Sequence, residues 1–115
     1  MSFTTATRDE FLDDDLEVRA THASLHTADP GATGDNELTG GSYVRVPITW
    51  NPASGGSKSI TAPQTVQIPV GSNFTHFGMW DAASGGTYAG SGLLDSAQSY
   101  PTGGTYLLNI VVNSA

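Results

Sequence analysis

The sequence predicts an all-β fold: an antiparallel β-sandwich of about seven or eight short strands with one short N-terminal helix. Three observations carry that prediction. Stretches in which apolar and polar residues alternate recur at roughly eight-to-twelve-residue spacing, the period of strands with one buried face. The pattern [Ser/Thr]-Gly-Gly-[Ser/Thr] occurs at Thr39–Ser42, Ser54–Ser57, Ser84–Thr87 and Thr102–Thr105, and a Gly-Gly pair supplies the positive φ angles of a tight hairpin. Two of these turns follow a tryptophan at the same spacing, after Trp50-Asn51-Pro52-Ala53 and after Trp80-Asp81-Ala82-Ala83. The two indoles are the natural large fillers between sheets. Two such units are read as similar hairpin chemistry and not as a solenoid repeat.

Thr7-Arg8-Asp9-Glu10 fits a capping box, with Thr7 as cap and Glu10 reaching back to it. A helix is expected from about Arg8 to Leu16, with Phe11, Leu12 and Leu16 as its apolar stripe. Asp13, Asp14 and Asp15 fall near its C-terminal end, where the helix dipole disfavours them. At this length the helix needs something to pack on. From Val18 to Thr27 the pattern is strand-like, with His22, Ser24 and His26 on one face and Ala23, Leu25 and Thr27 on the other. Asp29-Pro30-Gly31 opens a polar loop that continues through Gly34, Asp35 and Asn36. Tyr43–Trp50 alternates, with Val44, Val46, Ile48 and Trp50 inward and Tyr43, Arg45 and Thr49 outward; Pro47 assigns this strand to an edge or a bulge.

Short strands are expected at Ser57–Ala62 and Thr65–Val70, and then the most apolar run in the middle of the chain, Phe74–Asp81. Phe74, His76, Gly78 and Trp80 share one face of that run; Thr75, Phe77 and Met79 share the other. A strand apolar on both faces belongs in the middle of a sheet, and Gly78 marks a bulge or the close approach of a ring from the facing sheet. Strands near Thr87–Leu94, Ala97–Tyr100 and Thr105–Asn113 complete the series, the last with Tyr106, Leu108, Ile110 and Val112 facing one way. The whole chain, 1–115, reads as a single β-sandwich domain in which 1–17 forms an acidic N-terminal arm.

Composition narrows the function. Only 13% of the residues are charged and there are 14 glycines, a balance typical of secreted or particle-borne β proteins. There is no cysteine, so disulfides and thiolate metal sites are excluded. Met1–Asp15 is polar and acidic, unlike a secretory leader, and no run approaches the ~18 apolar residues of a membrane helix. A soluble chain without a membrane partner is expected. The net charge of −7 is concentrated in residues 1–37, where Asp9, Glu10, Asp13, Asp14, Asp15, Glu17, Asp29, Asp35 and Glu37 face only Arg8 and Arg19. Nucleic-acid binding calls for a basic stripe, which is missing. An acidic face that is solvated, or that docks on a basic surface, fits.

No catalytic motif stands out. His22 and His26 would lie about 13 Å apart on a strand, too far to share a metal, and ordinary strand histidines are the preferred reading over a site with His76 and Asp29 or Glu37. Asp29, Asp35, Asn36 and Glu37 are the candidate calcium ligands, in an acidic glycine-bearing loop that does not match the EF-hand spacing. The glycine turns carry no P-loop lysine and no Gly-x-Ser-x-Gly elbow occurs. An enzyme is not expected, nor a cofactor. Tyr43, Tyr88, Tyr100 and Trp80 could form a sugar-stacking platform, although rings at strand ends more often close a core.

Taken in order, Leu25-His26-Thr27-Ala28-Asp29-Pro30-Gly31, Asn36-Glu37, Gly41-Ser42-Tyr43-Val44-Arg45, Thr49-Trp50, Thr75-His76-Phe77-Gly78-Met79-Trp80-Asp81 and Gly85-Gly86-Thr87 resemble a family of small virion proteins of tailed bacteriophages, variously labelled tail fibre, minor tail or head-decoration proteins. The resemblance covers nearly the whole chain. It implies a β-sandwich in the virion without catalytic residues, a structural protein of the particle surface serving as capsid decoration or as a tail accessory or tail-fibre protein. Its partners would be other virion proteins of capsid or tail, and further copies of itself in a homo-oligomer or symmetric array. The residues expected at such contacts are Phe11, Leu12 and Leu16 on the arm, which would either dock on a partner or cap one end of the sandwich, together with Tyr43 and Arg45. The alternative is a module that binds host-surface carbohydrate, stabilised by calcium at Asp29–Glu37.

Overall fold

A computed structural model of the chain describes residues 16–55 and 57–113. A single helical turn, α1 (Glu17–Arg19), leads into β1 (His22–His26), β2 (Val46–Pro47), β3 (Ser57–Ser59), β4 (Gln64–Ile68), β5 (Ser72–Trp80), β6 (Tyr88–Tyr100), β7 (Gly104–Leu108) and β8 (Val111–Asn113). Every ladder is antiparallel. The all-β prediction therefore holds. The helix expected over Arg8–Leu16 lies outside the described residues except for Leu16, which packs against the core.

The strands form one four-stranded sheet, ordered β2-β1-β5-β6, and two two-stranded ribbons, β3-β8 and β4-β7. The Phe74–Asp81 run is central, as its two apolar faces require: β5 lies between β1 and β6. Pro47, which has no N–H to give to a ladder, sits in the edge strand β2. The strands expected at Thr87–Leu94 and Ala97–Tyr100 are one strand. The register passes from Phe74↔Gln98 to His76↔Leu93, so Leu94, Asp95, Ser96 and Ala97 bulge out opposite Thr75. The polar Asp95-Ser96 break in the sequence marks that bulge. Conversely, the expected strand Thr105–Asn113 is cut at Asn109–Ile110, where the chain leaves its pairing with β4 for a pairing with β3.

One apolar cluster joins the sheet to both ribbons. Ala23, Leu25 and Met79 from the sheet meet Val66, Ile68 and Leu108 from one ribbon, and Ile60 and Ile110 beside the other. Phe74 is fully buried, stacked on Tyr100 with ring centroids 5.5 Å apart and edge-on to Tyr106 at 5.1 Å, arrangements that suit the ring quadrupoles. Trp50 is buried and its Nε1–H donates to the Ala20 carbonyl at 2.8 Å. The alternation expected in the last strands is kept, with Leu108 and Ile110 buried and Tyr106 and Val112 packed against the cluster. In the Tyr43–Trp50 segment the alternation holds from Val46 on but fails at its start. Val44, expected inward, is 66% exposed, and Tyr43 is turned in. The reason lies in the polar network that Tyr43 and Arg45 join.

Candidate functional site

That network starts from one missing side chain. In the β1–β5 ladder Ser24 stands opposite Gly78 and His26 opposite His76. A Cβ on Gly78 would lie 2.5 Å from His26 Nε2 and 2.6 Å from Ser24 Oγ, so only glycine leaves room for both side chains. The close approach that the sequence marks at Gly78 is real. The ring that makes it comes from the neighbouring strand of the same sheet, not from a facing sheet.

Over Gly78 runs a buried chain of hydrogen bonds. The Trp80 Nε1–H donates to Ser24 Oγ at 2.8 Å, the Ser24 hydroxyl donates to His26 Nε2 at 2.6 Å, and His26 Nδ1–H donates to the Asp35 carbonyl at 2.7 Å. This assignment uses each donor once and makes His26 the neutral Nδ1–H tautomer. Burial pulls the imidazole below its ordinary pKa and outweighs the raising effects of the Asp35 carbonyl and the Glu37 charge. Ser24 and His26 touch as a nucleophile and base would. Yet Ser24 is only 1% exposed and its oxygen already accepts from Trp80, so no substrate atom can reach it.

A second layer lies beyond. The loop from Thr27 to Glu37 is shaped by Asp29 Oδ1, which accepts from Gly31 N–H at 2.9 Å, and by the Gly34 and Asp35 amides, which donate to the Pro30 carbonyl. Gly34 has φ +80° and rests on the indole of Trp80, where a Cβ would come within 2.5 Å of the ring. The loop ends at Glu37. Its carboxylate accepts from Tyr43 Oη–H at 2.8 Å, from Arg45 Nε at 3.0 Å and from Arg45 Nη2 at 2.9 Å. Arg45 Nη1 donates to the carbonyls of Ala82 and Gly85 at 3.2 and 2.8 Å. The guanidinium carbon sits 3.7 Å from the centre of the Trp80 ring, a cation–π contact. Arg45 thereby joins the end of the loop to a segment remote from it in sequence, the end of β5 with the glycine turn that follows. Burial raises the Glu37 carboxyl, but the hydrogen bonds from Arg45 and Tyr43 and the Arg45 charge bring it below the ordinary value. Burial and the neighbouring Glu37 push the Tyr43 phenol far above its usual pKa.

Tyr43 and Arg45, read from the sequence as outward contact residues, therefore face inward and serve this network. Of the candidate calcium ligands, Glu37 is held by Arg45 and Tyr43, the Asp29 carboxylate closes its own turn, and Asp35 Oδ1 accepts from the Thr33 hydroxyl at 3.1 Å. Asn36 donates through Nδ2 to the Asp29 carbonyl. Among the described residues no group of three or more His, Asp or Glu side chains could hold a metal ion. Phe11 and Leu12 lie outside the described residues. The four rings considered as a sugar platform are engaged in the fold: Trp80 under Arg45, Tyr88 edge-on to Trp80, Tyr100 on Phe74 and Tyr43 on Glu37. Two shallow grooves flank Leu38 and Thr39. One, of about 350 Å³, is bordered by Arg45, Ala83 and Ser84; the other, of about 490 Å³, by Thr27, Ser72 and Asn73.

Sequence reasoning missed this network as a unit, although its signals were in view: Ser24 and His26 on one strand face, a glycine in the strand that pairs with it, and Glu37, Tyr43, Arg45 and Trp80 among the residues that carry the resemblance. What the fold and site define is a small antiparallel β module whose buried polar groups fasten its loops. Residues 17–112 match the family of the podophage GP4 fiber I protein gp80, and the chain belongs to that family. No curated protein matches it. Family membership makes the chain a bacteriophage structural protein of tail-fibre type and a component of the virion.

Proposed function

We propose that this chain is a non-enzymatic β module of a tail fibre, present in several copies and attached to other virion proteins. The observation that carries the reading is where the reactive groups are. Ser24, His26, Glu37, Tyr43 and Arg45 are turned into one internal network that locks the Thr27–Glu37 loop and the Ala82–Gly85 turn onto the sheet. A chain that turns these groups to such use is built for a fixed surface shape, which is what a particle component needs. The acidic arm before Glu17 supplies the attachment. It carries Asp9, Glu10, Asp13, Asp14 and Asp15 against Arg8, so its partner presents a basic surface. The family match begins at residue 17 and leaves this arm outside, as an adaptor to a particular virion would be.

The experiment is to separate heads from tails of purified particles and quantify this chain by mass spectrometry in each, beside particles produced with residues 1–15 deleted. Recovery with the tail fraction, lost on deletion, supports the reading. Recovery with heads alone would make the chain a capsid decoration protein and overturn the fibre assignment. The rival reading, a host-glycan module, directs attention to the groove beside Thr39, Ser72 and Asn73. Saturable NMR shifts at those residues on adding host-envelope polysaccharide would favour it.

A further inference from the structure

The Ala28–Asp35 segment covers the ring pair Trp80 and Tyr88 and is fastened to the sheet by a single hydrogen bond. Gly34 rests on both rings, so close that a Cβ there would come within 2.9 Å of Tyr88 as well as meeting the indole. Among the described residues, only His26 Nδ1–H, donating to the Asp35 carbonyl, ties the segment to a strand. Its other hydrogen bonds stay inside the loop: Gly31 to Asp29, Gly34 and Asp35 to Pro30, Thr33 to Asp35, and Asn36 to Asp29. The chain has three histidines, and their hydrogen bonds set this one apart. His22 and His76 are half-buried, and each engages only Nδ1, with the hydroxyl of Thr21 at 3.0 Å and of Thr75 at 2.7 Å. His26 is fully buried with both ring nitrogens engaged.

We propose that His26 is an acid-sensitive latch: a proton on its imidazole lifts the Ala28–Asp35 segment off the sheet and uncovers Trp80 and Tyr88 while the strands stay paired. A proton on Nε2 turns that atom from acceptor to donor. Ser24 Oγ then receives N–H groups from both His26 and Trp80, and its own hydrogen loses the acceptor it has. The new charge is also shut away from water. The groups facing the ring do not compensate. The Glu37 carboxylate favours an imidazolium but is paired with Arg45, which opposes it, as does His76 directly across on β5. Asp35 offers the ring its carbonyl while its carboxylate accepts from Thr33, and the Asp29 carboxylate accepts from Gly31. His22, on the same strand, is another imidazole and not a counter-charge. The bond to Asp35 is not itself weakened by the proton. The imidazolium gains water only when the ring swings out or the loop rises from it, and either movement breaks that bond.

Hydrogen exchange at the Trp80 indole N–H, which donates to Ser24 Oγ, reads the opening in the full chain. The double variant His22→Gln, His76→Gln leaves His26 as the one imidazole, so that it alone titrates near neutrality. An imidazole with its ordinary value of 6.5 when the loop is open, and little protonated when it is closed, raises the opening equilibrium about tenfold from pH 7.5 to 5.5. That rise should appear in both the unmodified chain and the double variant, after correction for the intrinsic pH dependence of exchange. At pH 5.5 the Trp80 rate should stay nearly flat up to about 1 M urea, because lifting one loop exposes little surface. The slowest amides of β4 and β7 should accelerate over the same range, since they exchange through global unfolding. A Trp80 rate that follows those amides at every urea concentration would mean that the loop leaves only when the whole fold does, and would overturn the latch. Loss of the tenfold rise in the double variant would assign the acid response to His22 or His76 and overturn it equally. The latch does not depend on the fibre reading, which the head-and-tail fractionation decides separately.

Discussion

Replacing Arg45 with alanine removes the one side chain that ties the Thr27–Glu37 loop, the end of β5 and the Ala82–Gly85 turn together. Three losses follow. The Glu37 carboxylate, with 21% of its side chain exposed, keeps Tyr43 as a donor but loses its paired charge. Breaking a buried pair on one side costs about 3–5 kcal/mol, and partial exposure of both partners places this pair at the lower end. The Trp80 ring loses a cation 3.7 Å from its centre, worth about 1 kcal/mol. The Ala82 and Gly85 carbonyls lose their Nη1 donor but can turn to water. Together the destabilisation comes to about 3–4 kcal/mol, or a fall in Tm on the order of 10–20 °C for a domain near this size. Arg45→Lys should recover the charge but not the planar fork that meets both Glu37 oxygens and stacks on the indole, and should lie between the two. Urea unfolding followed by tryptophan fluorescence measures all three proteins, and Trp80 reports directly on the contact. A loss below 1 kcal/mol for Arg45→Ala, with Arg45→Lys indistinguishable from it, would mean that the pair behaves as an ordinary surface salt bridge and that the network does not hold the loop.

Gly78→Ala should cost about 2–4 kcal/mol, because the new methyl meets His26 Nε2 and Ser24 Oγ and one or two buried hydrogen bonds must give way. A melting temperature within 2–3 °C of wild type, equivalent to roughly half a kcal/mol, would contradict the close packing. Acid should weaken the fold from near neutrality. The folded pKa of His26 is depressed below its ordinary value of 6.5, so the unfolded chain takes the proton first and stability declines as pH falls below about 6.5. Glu37, depressed from 4.5, adds its own loss as pH falls further. Urea midpoints at pH 7.5 and 5.5 should therefore differ, and His26→Asn, weaker overall, should lose most of that difference. Calcium at 1 mM, set against a chelator, should leave the melting temperature unchanged, since Asp29, Asp35 and Glu37 are engaged in separate local contacts. A rise equivalent to roughly 2.7 kcal/mol, expected at a hundred times a dissociation constant, would restore the calcium reading.

Features that depend on neighbours along the chain are legible in the sequence. Period-2 alternation reveals strands because side chains of a strand alternate faces, so Val46, Ile48 and Trp50, or Leu108 and Ile110, announce their burial locally. Two apolar faces place β5 in mid-sheet, and a proline places β2 at an edge, by the same local logic. The glycine turns were legible because positive φ is a property of single residues, as Gly85 and Gly86 bear out at 63° and 77°. Pairing is not local, and it emerges only in the folded chain. Whether Thr87–Leu94 and Ala97–Tyr100 are two strands or one bulged strand depends on what lies across the ladder. So does the division of Thr105–Asn113 between two ribbons. The inward turn of Tyr43 and Arg45 against the alternation is of the same kind. A charged side chain enters a fold only where a partner waits, and its partners, Glu37 and the face of Trp80, stand 8 and 35 positions away along the chain and meet it only once β1 and β5 are paired.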